Sequence, residues 1–180
     1  MARSTPIPPP AAPLTDGVVV LRMRRASDLD AIAAASHDPE ALRWLDDEPM
    51  DAAARATSIA RAEEGWRTGE AARLVIADAA TDLPVGIVSL QFRAEDTATI
   101  AYSVFPAGRG HGHAPRAVRL LTGWAFGDLG LARLVIEADE GNAASIRVAE
   151  KCGFQRVGSR TSPDAEGERR TTVVFARLGA

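Results

Sequence analysis

An apolar run, Ile100 to Phe105, passes directly into the loop Pro106-Ala-Gly-Arg-Gly-His-Gly-His-Ala-Pro115. Beyond it, Ala117, Leu120, Leu121 and Trp124 fall on one helical face, and Arg133-Leu-Val-Ile-Glu137 reads as another strand. A strand, a helix and a strand joined this closely form a crossover, so the two strands run parallel. The loop constrains the chain further. Gly108, Gly110 and Gly112 alternate with Arg109, His111 and His113. Residues without side chains let backbone N–H groups crowd around one point. The first turn of the helix adds its own unpaired N–H groups and the positive end of its dipole. That combination is an anion site, most often for phosphate, and Arg109 offers a charged donor fork.

The rest of the chain reads as one domain built around this unit. Met1 to Pro13 holds five prolines and predicts an extended, flexible tail, so residues 1–16 are set apart from a domain at 17–180. Val18 to Met23 predicts a strand, and Ser27 a helix cap with Asp28 and Asp30 in the first turn. Asp38 to Leu45 predicts a short helix, and Asp51 caps a third that ends at Thr68-Gly69. Ala72–Ala77 and Val85–Phe92 predict a hairpin, followed by the strand Thr97–Phe105. Asn142 opens a last helix closed by Gly153, with strands at Phe154–Ser159 and Thr171–Arg177 around a polar loop. The order predicts an α+β fold: a mixed, mostly antiparallel twisted sheet of about seven strands, with helices on both faces.

Composition narrows the class. A formal charge of −3 and a pI near 5.6 argue against a general nucleic-acid binder. A single cysteine excludes an internal disulfide and suits a reducing compartment. No apolar run approaches the roughly 18 residues of a membrane span, and the N-terminus lacks an apolar signal core. A cytoplasmic protein is expected, and heavy Ala and Arg usage suggests a bacterial source.

Which phosphate binder is it? No Walker loop is present, and Gly-x-Gly-x-Gly matches the dinucleotide fingerprint poorly. Arg109-Gly-His-Gly112-His-Ala114 instead fits Arg/Gln-x-x-Gly-x-Gly/Ala, and here the chain resembles the GNAT family of N-acetyltransferases. Glu140-Gly-Asn142-Ala-Ala-Ser145 followed by Glu150-Lys-Cys-Gly-Phe154 resembles that family's second motif. Upstream, Leu21-Arg22, Asp38-Pro-Glu-Ala-Leu-Arg-Trp44 and Trp66-Arg-Thr-Gly69 resemble its RimJ/RimL-like branch, which acetylates ribosomal-protein N-termini. The resemblance covers residues 17 to 178.

The resemblance implies acetyl-coenzyme A as co-substrate and direct transfer to a primary amine, either a protein or peptide N-terminus or a small amine. It implies that Arg109, Gly110, His111, Gly112, His113 and Ala114 hold the pyrophosphate. Tyr102, Ser103 and Val104 would engage the pantetheine arm and thioester carbonyl through their backbone, and Asn142 the pantetheine region. Ser145 would lie near the thioester sulfur. A carboxylate would accept the amine proton; Glu137, Asp139 and Glu140 are candidates, with Glu137 best placed along the strand. Many members carry a tyrosine two residues before the lysine of the Glu-Lys word, but this chain has Ala149 there, leaving Ser145 or solvent to protonate the thiolate. Family members are often homodimers.

Plainer readings stand beside these. The glycine loop reads also as a tight turn, Asn142 as a helix cap, and the acids as solvated. Asp46-Asp47-Glu48 suits a cationic acceptor, but equally an ordinary loop. His111 and His113, with His37 and a lone Cys152, complete no metal ligand set, so no metal is expected. The alternative function is a non-catalytic acyl-coenzyme A-binding regulatory module of the same fold.

Overall fold

The computed structural model describes residues 5–44, 48–164 and 167–179. Asp46 and Asp47, read above as a possible attraction for a cationic acceptor, lie outside them.

Eight strands form one sheet in the order β1-β2-β3-β4-β5-β6-β8-β7. They are β1 Leu14–Thr15, β2 Val19–Arg22, β3 Ala71–Asp78, β4 Pro84–Ala94, β5 Thr97–Val104, β6 Arg133–Asp139, β7 Gln155–Pro163 and β8 Arg169–Leu178. Only β5 and β6 are parallel, as the crossover requires. The helices are α1 Leu29–Ser36, α2 Pro39–Trp44, α3 Ala52–Thr68, α4 His113–Gly127 and α5 Ala143–Lys151.

Strand alternation sorts two cores. Leu74 and Ile76 of β3, Leu90 of β4 and Ile100 of β5 face Val118, Leu121 and Trp124 of α4. On the other face, Val75 and Ala77 of β3 pack with Ile32 of α1 and Phe105. α3 crosses that face so closely that a Cβ on Gly65 would meet the Ala71 carbonyl at 2.8 Å. The helices therefore cover both faces.

Three sequence expectations are corrected. Within the segment read as a flexible tail, the described residues 5–16 are seated on the domain: Leu14–Thr15 pairs with β2, supplying the eighth strand, and Ile7 is buried and donates its N–H to the Trp66 carbonyl at 2.9 Å. Packing of one isoleucine outweighs a proline-rich composition that reads as solvated. Ser27 does not cap the first helix. A 3-10 turn over Ala26–Asp28 precedes α1, and the buried Asp28 carboxylate accepts from Arg25 N–H and from both terminal nitrogens of Arg22. The last hairpin is longer than expected, since β7 and β8 pair from Gln155↔Ala176 to Pro163↔Arg169.

Candidate active site

β5 and β6 pair over only three positions, Thr97↔Arg133 to Thr99↔Val135, and then diverge. From Ile100 to Val104 the β5 backbone has β4 on one side and, among the described residues, no strand on the other. A cleft of about 720 Å³ opens there, lined by β5 and β6, the glycine loop, the starts of α4 and α5, and α2. Gly108, packed under the loop, leaves no room for a side chain: its Cβ would meet the Val85 carbonyl at 3.0 Å. Gly110 and Gly112 have left-handed φ of 78° and 74°, and a Cβ on either would meet nothing within 4 Å. Gly112 caps α4 without a side-chain acceptor, so the first-turn N–H groups of α4 remain available to an anion.

The two arginines near this loop are already engaged. Arg109 donates to Asp38 at 2.5 Å and to Glu40 at 2.9 Å, both from the α2 region. Arg116 pairs with Asp16 at 2.6 Å. His113 is buried, its Nδ1 has no hydrogen-bond partner, and burial pushes its pKa down, so the ring enters the loop neutral. His111 stacks on it at 5.7 Å. Among the described residues, no group of three or more His, Cys, Asp or Glu could hold a metal ion.

At the other end, Asn142 Oδ1 accepts from the Ser145 N–H at 3.0 Å, which caps α5. The Ser145 hydroxyl lies 2.9 Å from the Tyr102 hydroxyl, and the Ser145 carbonyl lies 3.2 Å from it. Burial pushes the Tyr102 pKa up to about 12 against the opposing hydrogen bond from Ser145, so the phenol stays protonated. Ala149 is wholly buried in the core. Glu137 lines the cleft, but Arg160 closes on both its oxygens at 2.7 Å and holds its pKa below the usual carboxylate range. Asp139 also lines the cleft, with Oδ1 accepting from the Gly141 N–H at 2.8 Å, and a Cβ on Gly141 would meet both that oxygen and the Trp44 ring.

A family model for the acetyltransferase (GNAT) domain matches residues 19–155. The chain belongs to the GNAT acetyltransferase family. An N-acetyltransferase 9-like protein of Caenorhabditis briggsae is 45% identical over 53 residues, a match spanning 29% of this chain and 27% of that protein. Solved structures share the fold at low identity. A GNAT-family acetyltransferase from Bacillus anthracis superposes with a TM-score of 0.81 at 17% identity, over 93% of this chain and 98% of that one. RimL, a ribosomal L7/L12 α-N-protein acetyltransferase solved with coenzyme A, gives 0.81 at 18%, over 93% and 97%. A spermidine N-acetyltransferase from Vibrio cholerae, solved with coenzyme A and spermine, gives 0.78 at 18%, over 91% and 96%.

Within this GNAT domain the expected residues gather on one cleft: Tyr102, Ser103 and Val104 on β5, Arg109 to Ala114 at the loop, Asn142 and Ser145 at α5, and Glu137 on β6. His111 alone is not among the lining residues. Sequence reasoning missed the Tyr102–Ser145 pair and the use of Arg109 by α2. Neither has a local signal, because the partners lie 43 and 71 positions apart.

Proposed function

We propose that this protein transfers the acetyl group of acetyl-coenzyme A directly to a primary amine in a ternary complex. The observation that carries the reading is the splay between β5 and β6, with a helix N-terminus at one end and a hydroxyl pair at the other. An extended pantetheine arm fits the open β5 edge as an added strand, hydrogen-bonded by the backbone of Tyr102 to Val104. The pyrophosphate then reaches the first turn of α4, where the loop from Gly110 to Ala114 supplies backbone donors and His113 a buried ring. Acetyl-coenzyme A supplies an activated thioester.

The chain's own residues supply orientation and proton handling. Holding thioester and amine side by side gives most of the rate. Tyr102 and Ser145 form one hydroxyl pair beside the thioester position, and either can donate to the departing thiolate; the pair takes the place of the tyrosine that Ala149 lacks. Glu137 is a poor proton acceptor beside Arg160, so Asp139, directly or through water, receives the amine proton. For the acceptor we favour a peptide or protein α-amine on the RimL-like likeness, with a small amine such as a polyamine as the other possibility. We place the protein in the cytoplasm. No helix among the described residues is long and apolar enough to cross a membrane.

The test is calorimetric titration with acetyl-coenzyme A, followed by a free-thiol release assay over Ser- and Ala-initiated hexapeptides and spermidine. Micromolar binding with amine-dependent release supports the enzyme. Binding without any amine dependence favours a non-catalytic acyl-coenzyme A module. No binding removes both readings.

A further inference from the structure

α2 is six residues long and buries none of them. A helix this short has no stability of its own, and none of its side chains is fully buried. Its fastenings sit at its two ends. At the N-terminal end, Asp38 caps the helix through the Ala41 N–H at 2.9 Å and also receives Arg109, while Glu40 takes the other nitrogen of the same guanidinium. Asp38 is largely enclosed, with 15% of its side chain exposed, and Arg109 holds its carboxyl below the usual range. At the C-terminal end, Arg170 of β8 donates to the Arg43 carbonyl at 3.2 Å. The Trp44 ring, with the Arg43 guanidinium 4.6 Å from its centre, lies against Gly141 so closely that a Cβ there would come within 3.4 Å. α2 therefore spans the cleft mouth from the loop before α4 to the turn before α5, and turns Glu40, Ala41 and Trp44 toward the cleft.

We infer that Arg109 is a positioning residue for the acceptor side of the cleft, holding α2 across its mouth, and is not a phosphate ligand. The inference rests on the acetyltransferase reading for what the two sides of the cleft bind. Both terminal nitrogens of Arg109 already serve carboxylates, so a pyrophosphate would have to share the guanidinium with Asp38 and Glu40, whose negative charges would stand close to a dianion. The phosphate site does not need the guanidinium, because the backbone donors of the loop and of α4 face it independently.

The test compares wild type, Arg109→Ala, Arg109→Lys and the charge-swapped pair Arg109→Asp with Asp38→Arg. Three quantities are read on the full chain: acetyl-coenzyme A affinity, amide exchange of residues 41–44, and steady-state kinetics. The acceptor is the better of spermidine and a Ser-initiated hexapeptide. Arg109→Ala is expected to keep its acetyl-coenzyme A Kd within about threefold while exchange at 41–44 quickens about tenfold. Its acceptor KM is expected to rise about fivefold or more with kcat little changed. Lysine restores part of the loss; the swapped pair re-forms one ion pair but forfeits the Asp38 cap on the Ala41 N–H and sets a carboxylate at position 109 beside Glu40, so it restores less. A Kd weakened about tenfold with exchange at 41–44 unchanged overturns the inference and makes Arg109 a phosphate ligand. Should wild type fail to bind acetyl-coenzyme A, the acetyltransferase reading falls, and exchange at 41–44 still decides whether Arg109 holds α2.

Discussion

Arg160 and Glu137 meet edge to edge, each terminal nitrogen 2.7 Å from one carboxylate oxygen. The pair crosses from β7 to β6 and stands at the cleft wall. Its effect is to keep Glu137 ionised and weakly basic, first through those hydrogen bonds and against a partial burial that works the other way. Glu137 is thereby suited to charge balance, and the proton-accepting role proposed above falls to its neighbour on the same strand, Asp139.

Substitution separates the two acids. Glu137→Gln is expected to leave the shape of the pH profile of kcat/KM unchanged between about pH 6 and 9, because a group held below the usual carboxylate range titrates beneath that window. Asp139→Asn is expected to lower kcat by about a hundredfold or more. A profile that loses its acidic limb in Glu137→Gln returns the base role to that residue.

The hydroxyl pair predicts non-additivity. Tyr102→Phe and Ser145→Ala are each expected to lower kcat about tenfold, and the double variant scarcely further, since both changes break one donor path. Folding is checked by thermal melting of each variant. Additive losses would mean that the two hydroxyls act separately.

Gly112 tests the loop. Its left-handed φ of 74° makes Gly112→Ala cost about 1 kcal/mol of stability by backbone strain. No atom stands within 4 Å of the new Cβ, so no clash adds to it. Gly112→Trp is expected to fill the anion site and abolish acetyl-coenzyme A binding in calorimetry while the chain still melts cooperatively.

Asp28 tests the buried ion pair that joins β2 to α1. Its carboxylate is 1% exposed and takes both terminal nitrogens of Arg22. Asp28→Ala leaves Arg22 with Asp82 and the Met23 carbonyl as its remaining partners, removes two charge-assisted hydrogen bonds, and is expected to cost about 2 kcal/mol, roughly 4–8 °C in Tm for a chain this size. Burial alone would raise the Asp28 pKa, but the bonds from Arg22 and the Arg25 N–H bring it below the ordinary aspartate range. The folded chain therefore binds this proton less readily than the unfolded one. The stabilisation is complete above the unfolded value and is lost as pH falls through the folded one. Acid titration of wild type against the variant reads that difference.

The strand–loop–helix unit, its partner strand and the capped starts of α3 and α5 were legible because each is written locally. Glycine spacing, apolar period and the acceptors Asp51 and Asn142 all lie within a few residues of what they organise. What was not legible depends on distant partners. Ile7 announces nothing in a proline-rich stretch until Trp66 receives it, and Arg109 looks like a phosphate ligand until α2 is folded against it. Tyr102 is one apolar-strand residue among several until α5 brings Ser145 to its hydroxyl.

The short parallel seam between β5 and β6 has a mechanical consequence. Within the sheet, a five-stranded half, β1 to β5, meets a three-stranded half, β6 to β8, through three register pairs, while the core under α4 is shared by both. A ligand laid along the open β5 edge would act as a suture across that seam. Occupancy would then be felt well beyond the cleft, as a chain that breathes as two halves when empty and resists unfolding as one piece when filled.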